Sequence, residues 1–258
     1  MTRPTVTLTV QRTEQLAPHL VRVYLGGPGF EEFVPNGYAD AYVKLVFGTD
    51  TEPVLRTYTV RRVDDRSREI AIDFVVHGDE GVAGRWAATA RQGEQLRLRG
   101  PGGAYAPRRD ADWHLLAGDE SALPAIGAAL EALPAGARAQ VFVEVAGPGD
   151  EIALPTAADA AITWIHRGGA ADEVGDDRAG EHAPLIAAVT AADWWPGQPQ
   201  VFIHGEAQAV MHGLRPYIRR ERGVRAEWAS ISGYWRRGRT EEGFRVWKSE
   251  LAAAEPGG

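Results

Sequence analysis

The hydrophobic pattern of this chain changes period once, near residue 108, and that change limits what the chain can fold into. Before it, apolar residues alternate with polar ones in short runs: Val6, Leu8 and Val10; Leu20, Val21, Val23 and Leu25; Val43, Leu45 and Phe47. Further runs are Leu55 to Arg62, Ile70 to Val76 and Gln95 to Arg99. Alternation puts one set of side chains on each face of a strand, and the runs are bounded by Gly, Pro, Asn and Asp. An antiparallel barrel or sandwich follows, interrupted by one helix near Gly81 to Ala90. After Pro107-Arg108-Arg109-Asp110 the pattern becomes strand then helix. Strands are expected at Trp113 to Ala117, Val141 to Val145, Ile162 to Ile165 and Gln200 to His204. Helices are expected at Ala122 to Leu133 (Ser121 as N-cap, Pro124 in the first turn), His182 to Val189 and Ala207 to Arg220. Such alternation implies an open parallel sheet. The expected organisation is two domains, 1–108 and 109–258, the second ending in an amphipathic helix over Thr240 to Ala254. Gly168 to Gly180 reads as a polar loop.

Composition narrows the function. Hydrophobic residues make up 44% and charged residues 24%, as in a folded globular protein. No apolar run approaches the roughly 18 residues that span a bilayer, and the first residues have no signal-peptide core. A cytoplasmic protein without membrane insertion is expected. With no cysteine, disulfides, iron–sulfur clusters and thiolate zinc sites are excluded. Histidines at 19, 77, 114, 166, 182, 204 and 212 show no metal-ligand spacing. The net charge of −7 argues against nucleic acid as a partner. Its distribution is uneven: residues 1–108 carry 14 Lys+Arg against 13 Asp+Glu, and 109–258 carry 14 against 22. Within that acidic half, residues 215–239 hold eight arginines and two acids, which points either to a specific anionic ligand or to a solvated arginine face. Lysine occurs only at 44 and 248.

The stretch from Arg56 to Trp86 carries the clearest chemistry. In Arg56-Thr57-Tyr58-Thr59-Val60, Arg56 and Tyr58 share a strand face. Arg56 suits a pyrophosphate, Tyr58 a flat ring, and Thr59 offers a hydroxyl or backbone N–H to the ring's edge. Gly78 and Gly81 let backbone approach a ligand, and Gly81-Val82-Ala83-Gly84 opens a helix whose free N–H groups favour phosphate. Trp86, one turn in, either covers an apolar ring face or packs on the barrel. FAD is the cofactor these residues fit best. For a nicotinamide cofactor the sequence is less explicit. No Gly-x-Gly-x-x-Gly follows a strand, and Gly147-Pro148-Gly149 has no helix after it.

These pieces resemble the siderophore-interacting protein family, the FAD-dependent ferric-siderophore reductases within the ferredoxin–NADP reductase superfamily. The matching segments are Val43 to Phe47, Arg56 to Val60, His77 to Trp86, Gly100-Pro101-Gly102-Gly103, Leu116 to Ile126, and Ile231-Ser232-Gly233-Tyr234-Trp235-Arg236 with Gly238 to Glu242. The resemblance implies an N-terminal Greek-key flavin barrel and a C-terminal NAD(P)H domain. It implies that Arg56, Thr57, Tyr58, Thr59 and Val60 hold the flavin and pyrophosphate, and that Asp73, Val75, His77, Gly81, Val82, Ala83 and Trp86 line the rest of the FAD site. Asp119, Glu120 and Ala122 are implied where the second domain meets the flavin. NAD(P)H is implied near Gly118, Gly205, Glu206, Ser232, Gly233, Tyr234 and Trp235. Val82 and Gly84 depart from the proline and serine frequent in the family, so a phosphate contact there is expected from backbone alone. Arg236, Arg237 or Arg239 fits a 2′-phosphate, favouring NADPH over NADH; the alternative is an ion pair with Glu241 or Glu242. Lys44 matches a lysine of the family's basic substrate site, with Arg236 as a second candidate.

The expected activity is a relay from NAD(P)H through FAD to Fe(III) in a ferric siderophore, with iron as substrate and no catalytic acid, base or nucleophile needed. The alternatives are a ferredoxin- or flavin-linked reductase on the same scaffold, or a non-catalytic siderophore-binding protein. A monomer is the default expectation.

Overall fold

The computed structural model of the protein describes residues 5–76, 81–240 and 243–244. His77 and all but the edge of the expected terminal helix lie outside the described residues. The chain divides into two compact units: Met1–Pro107 with Pro124–Leu133 and Gly149–Thr156, and Arg108–Leu123 with Pro134–Pro148 and Ala157–Gly258.

In the first unit six antiparallel strands close into a barrel. They are β1 (Thr5–Ala17), β2 (Leu20–Gly26), β3 (Tyr42–Gly48), β4 (Pro53–Asp64), β5 (Glu69–Val75) and β6 (Gln95–Gly102). Their order, β1-β2-β5-β4-β3-β6, contains the Greek-key step from β2 across to β3. The alternation seen in the sequence is the reason it closes. Val6, Leu8, Val10, Val43, Leu45, Ile70, Ile72, Phe74, Leu96 and Leu98 all enter one core and are nearly inaccessible to solvent. Burying each such side chain contributes roughly 1.5–3 kcal/mol. Helix α1 (Val82–Thr89) presents Ala83 and Ala87 to this core.

Most of helix α2 (Leu123–Ala132) groups with the barrel and not with the sheet that precedes it in sequence. Arg61, itself buried, donates to Glu131 at 2.6 Å, and its guanidinium lies flat against Gly127. The segment 149–156 joins the same unit: His19 Nδ1 lies 2.9 Å from Asp150 Oδ1, and Thr156 donates its hydroxyl to the Leu130 carbonyl at 2.7 Å.

The second unit is built on β7 (Trp113–Asp119), β8 (Arg138–Val145), β9 (Asp159–His166), β10 (Pro199–Glu206) and β11 (Ala229–Trp235), all parallel, in the order β11-β10-β7-β8-β9. Trp113, Leu115, Val201 and Ile203 face α3 (Pro184–Ala191) and the helical stretch after β10, meeting Leu185, Val189, Val210, Leu214 and Ile218. The strand order reverses beside β7, and such a switch point leaves a crevice at the carboxyl ends of the strands.

Several local expectations are corrected. The sequence reading assigned no strand to 229–235, yet β11 pairs with β10 from Ala229 to Trp235; as an edge strand carrying Ser230, Ser232 and Gly233 it lacks a continuous apolar run. The expected helix 207–220 forms two π-helical segments, Gln208–Leu214 and Tyr217–Glu221, with i→i+5 bonds such as Arg222 N to Tyr217 O at 3.0 Å. Pro216 between them has no amide to donate to the ladder, which interrupts the ordinary i→i+4 pattern. Helix α3 starts at Pro184, where its missing N–H costs nothing. Ser121 does not cap α2: its N–H and its hydroxyl both donate to Asp119 Oδ1.

Candidate functional site

The first unit gathers an aromatic and cationic group at β4, β5 and α1. Arg56, Tyr58 and Val60 lie on the inner face of β4, because their cross-strand partners Leu45, Val43 and Ile72 are core residues. The Tyr58 ring centroid is 4.5 Å from that of Phe74. Trp86 from α1 meets Phe74 at 5.6 Å and Phe47 at 5.8 Å, both edge-on. Tyr58 and Trp86 remain half-buried, so their rings keep accessible surface. Arg56 donates to the Leu55 carbonyl at 2.8 Å and is also only half-buried.

Helix α1 begins at a glycine for a reason. Gly81 has φ +96, a conformation that L side chains rarely adopt, and nothing lies within 4 Å of where a Cβ would stand. Gly81, the N-cap, has no side chain to cap this helix, and first-turn N–H groups are a favourable place for an anion. Gly84 fits close to β5, since a Cβ there would lie 3.0 Å from the Val75 carbonyl oxygen. Val82 is exposed, and Ala83 is buried against the barrel. A half-buried aromatic pair, an arginine on the same strand and a glycine-led helix start match the needs of a flat ring carrying a pyrophosphate, so these residues fit FAD.

Thr57 faces the opposite side of β4 from Arg56 and Tyr58, directly across from Lys44. Thr59 is buried on that side, and the Val60 N–H donates to Ala41 O at 2.7 Å. Asp73 is buried, and both its oxygens accept from Arg22, at 2.6 and 2.8 Å. Val75 ends β5, half-buried.

The second unit converges on Asp119 at the end of β7. Its Oδ1 accepts from Ser121, while Oδ2 accepts the Glu206 N–H at 2.7 Å and the Trp235 indole N–H at 2.8 Å. Gly205 makes this possible: at φ +146, a Cβ there would fall 2.7 Å from Asp119 Oδ2. Glu206 in turn accepts from Ala209 N at 2.9 Å and from Arg236 at 2.8 Å. Arg237 donates to the Val174 carbonyl and, at 3.1 Å, to the fully exposed Asp176. Gly233 lets β11 sit against Ala207, whose Cβ would be 2.7 Å from a Cβ added there. The Tyr234 ring stands 4.7 Å from that of His204, and Ser232 pairs in register with His204. Ala122 is fully buried, its N–H donating to Asp119 O at 3.0 Å.

Sequence reading missed the buried ion cluster beside this hub. Arg167, at the end of β9 and 2% exposed, grips Glu120 with both terminal nitrogens and also donates to Glu144 at 2.9 Å. Glu144 accepts the Leu185 N–H at 2.8 Å in the first turn of α3. The signal was a carboxylate inside Val141-Phe142-Val143-Glu144-Val145, which cannot stay charged in an apolar strand without a cation. Burial, and then repulsion from nearby Glu120, push the Asp119 carboxyl up to about 6. Burial also raises that of Glu144, against the hydrogen bond from Arg167.

A cleft of about 530 Å³ opens next to this cluster, lined by Asp176, Gly180, Glu181, His182, Gln208, Arg236 and Arg237. That volume lies within the roughly 300–1,000 Å³ typical of small-molecule sites. Its two arginines and its place near the carboxyl ends of β10 and β11 fit a dinucleotide carrying phosphate.

A closed Greek-key barrel holding the Arg56–Tyr58 strand, with a parallel sheet of order β11-β10-β7-β8-β9, is the architecture of the siderophore-interacting proteins. Comparisons with known proteins narrow this. The model of the siderophore-interacting FAD-binding domain matches residues 9–51 and 46–105, and that of the siderophore-interacting protein matches 111–238. The chain is 60% identical over 279 residues to an uncharacterised protein of Mycobacterium tuberculosis, covering 99% of this chain and 98% of the other. It is 33% identical to the ferric vibriobactin reductase of Vibrio cholerae, covering 90% of each. A siderophore utilization protein from T. fusca, a solved structure, aligns with TM-score 0.78 and 36% identity over 93% of this chain and 95% of that one. The chain belongs to the siderophore-interacting protein family. Among the described residues, no helix is long and apolar enough to cross a membrane.

Proposed function

We propose that the protein reduces ferric siderophores in the cytoplasm, taking electrons from NADPH and releasing iron as Fe(II). The observation that carries this reading is the Arg56–Tyr58–Trp86 group with the glycine-led start of α1. In this reading residues 1–108 form the FAD domain and 109–258 the NADPH domain.

Arg56 and the first-turn N–H groups of α1 bind the pyrophosphate, while Tyr58 and Trp86 cover the ring and exclude water from it. FAD held there would supply the chemistry that links a two-electron donor to a one-electron acceptor. In the second unit Glu206 orients Arg236, and Asp119 fixes the ends of β7, β10 and β11 so that the cleft keeps its shape. Arg237 is the candidate for a 2′-phosphate: its partner Asp176 is fully exposed, and an exposed ion pair is worth little, so a phosphate can replace it. Lys44 supplies charge for the ferric chelate, and Fe(II), held far less tightly than Fe(III), then leaves.

The test is spectroscopic. Purified protein is expected to be yellow; NADPH mixed in a stopped flow bleaches the flavin bands, and a ferric siderophore restores them. A protein that takes up no FAD overturns the reading. Bleaching by NADH alone overturns the role given to Arg237.

A further inference from the structure

The two arginines of the cleft differ in which of them can change partner. Arg236 donates to Glu206 at 2.8 Å and Arg237 to Asp176 at 3.1 Å, and both arginine side chains are 26% exposed. Their carboxylates are not alike. Glu206 is buried and also accepts the N–H groups of Ala209, at 2.9 Å, and of Arg237, at 3.3 Å. Moving it away from Arg236 would strand those donors. Asp176 is fully exposed, so water solvates it as soon as Arg237 turns away.

The turn that carries Asp176 holds it at the cleft. Asp176 opens a single 3-10 turn, Asp176–Arg178, closed by the Arg178 N–H to the Gly175 carbonyl at 3.1 Å. Before the turn, Val174 is buried and its N–H donates to Ala170 O at 3.2 Å. After it, the Arg178 guanidinium donates to the Arg167 carbonyl at 3.4 Å. Arg237 is itself anchored, by its own N–H to Glu206 and by a second side-chain donation to the Val174 carbonyl. The contact with Asp176 is the one that a ligand can replace without moving backbone. A dianionic phosphate that enters the cleft to reach Arg237 meets a carboxylate already in place. That carboxylate competes for the guanidinium and repels the newcomer.

We infer that Asp176 is a specificity-determining residue: it occupies Arg237 when no 2′-phosphate is present and so narrows the preference for NADPH over NADH. NADH brings no 2′-phosphate and leaves the Arg237–Asp176 pair intact, whereas NADPH must displace it. The inference rests on the role given to Arg237 above and deepens it by naming the residue that opposes Arg237. It also separates Asp176 from its neighbour Asp177. The Asp177 carboxylate folds back toward Gly175, where an added Cβ would stand 2.5 Å from its Oδ1, and Asp177 does not line the cleft. Glu181, the other carboxylate on the rim, lies 3.9 Å from His182 and so engages a different group.

The experiment uses FAD-loaded protein and two nucleotides that differ by one group, adenosine 2′,5′-bisphosphate and adenosine 5′-monophosphate, titrated by calorimetry. Asp176→Asn is expected to bind the bisphosphate about fivefold tighter than wild type, as for one partly screened charge contact, and the monophosphate within a factor of about two. Asp176→Glu keeps the charge and stays within a factor of about two of wild type for both nucleotides, as does Asp177→Asn. Arg237→Gln weakens bisphosphate binding, and in that background Asp176→Asn brings a gain of no more than about twofold. Equal bisphosphate affinities for wild type and Asp176→Asn overturn the inference. So does an equal gain for both nucleotides, an equal gain from Asp177→Asn, or a gain that survives Arg237→Gln. Flavin reduction is followed in parallel: the NADPH-to-NADH ratio of kcat/KM is expected to rise about fivefold in Asp176→Asn, and an unchanged ratio overturns the inference. A wild type that binds the two nucleotides equally, with no effect of Arg237→Gln, overturns the parent reading. Discrimination that depends on Arg237 but not on Asp176 overturns this inference alone.

Discussion

Trp235 donates its indole N–H to Asp119 Oδ2 at 2.8 Å, tying the last residue of β11 to the last residue of β7 although β10 runs between them. The Glu206 N–H, at the end of β10, donates to the same oxygen. One buried carboxylate thus holds three strand ends at the mouth of the crevice.

Trp235→Phe keeps the ring and removes the donor. A hydrogen bond to a charged group contributes about 1.5–3 kcal/mol, so a stability loss of about that size is expected near pH 7.5. The variant also loses one of the hydrogen bonds that lower the Asp119 pKa, so that pKa rises further. Urea unfolding of wild type and variant at pH 7.5 and pH 5 checks both: the difference is expected to shrink at the lower pH, where Asp119 is protonated. An unchanged difference would show that Trp235 contributes through packing alone.

Asp119 also sets a pH dependence whose sign is opposite to that of an ordinary salt-bridged carboxylate. Its pKa is raised from 3.8 to about 6, chiefly by burial. A raised pKa means that the folded state favours the protonated form. The stability it contributes is therefore full below about pH 4 and is lost as pH rises through about 6. The change amounts to at most about 3 kcal/mol. Asp119→Asn is expected to abolish this slope. The check is unfolding free energy measured from pH 4.5 to 7, and identical slopes in variant and wild type would sink the assignment.

Which of these features were readable in the sequence follows from their range along the chain. The barrel strands and the parallel sheet were legible because alternation in Val43-Lys44-Leu45 and apolar runs in Trp113-His114-Leu115-Leu116-Ala117 are local consequences of which face is buried. Arg56 and Tyr58 were legible as a pair for the same reason. Arg167 was not: it follows an edge strand that is largely exposed, and its partners Glu120 and Glu144 lie 47 and 23 residues away. Nor was the grouping of α2 with the barrel, which depends on Arg61 lying against Gly127, a contact between residues from opposite sides of the change in period. The strand β11 was missed because an edge strand with serine and glycine has no apolar signature.

Arg167→Met is expected to be among the most damaging single changes. It leaves Glu120 and Glu144 without their shared cation, and Glu144 is buried. Breaking a buried ion pair by removing one partner costs about 3–5 kcal/mol. Arg167→Lys restores charge but cannot reach both carboxylates in the same forked geometry, so it is expected to recover only part of the loss. Chemical denaturation of the three proteins checks the order wild type, then Lys, then Met. A Met variant as stable as wild type would mean that the cluster is energetically neutral.

Gly127→Ala tests the packing of α2. A Cβ at this position would lie 2.9 Å from Arg61 Nε and 3.1 Å from its Cζ, within a guanidinium held by Glu131. Alanine ordinarily favours a helix over glycine by up to about 1 kcal/mol, but crowding a packed site costs about 1–3 kcal/mol. Net destabilisation is therefore expected. In the Arg61→Ala background the clash is gone, and the same substitution is expected to become neutral or stabilising. A double-mutant cycle by thermal unfolding measures the coupling, and additive effects would show that the guanidinium yields without cost.

Arg56→Gln addresses the flavin directly. Arg56 is half-buried on the same strand face as Tyr58, so its loss removes a charged donor without opening the core. A charge-assisted bond to phosphate is worth about 1.5–3 kcal/mol, which corresponds to FAD binding weakened about 10- to 150-fold. Arg56→Lys is expected to fall between, since an ammonium provides a point charge without the planar fork. Apo-protein unfolding, measured in parallel, reports any effect of the substitution on the fold itself. FAD affinity of the apo-proteins, followed by quenching of flavin fluorescence, separates the two effects. An Arg56→Gln protein that binds FAD like wild type would remove Arg56 from the pyrophosphate site, leaving the helix start at Gly81 as its remaining candidate.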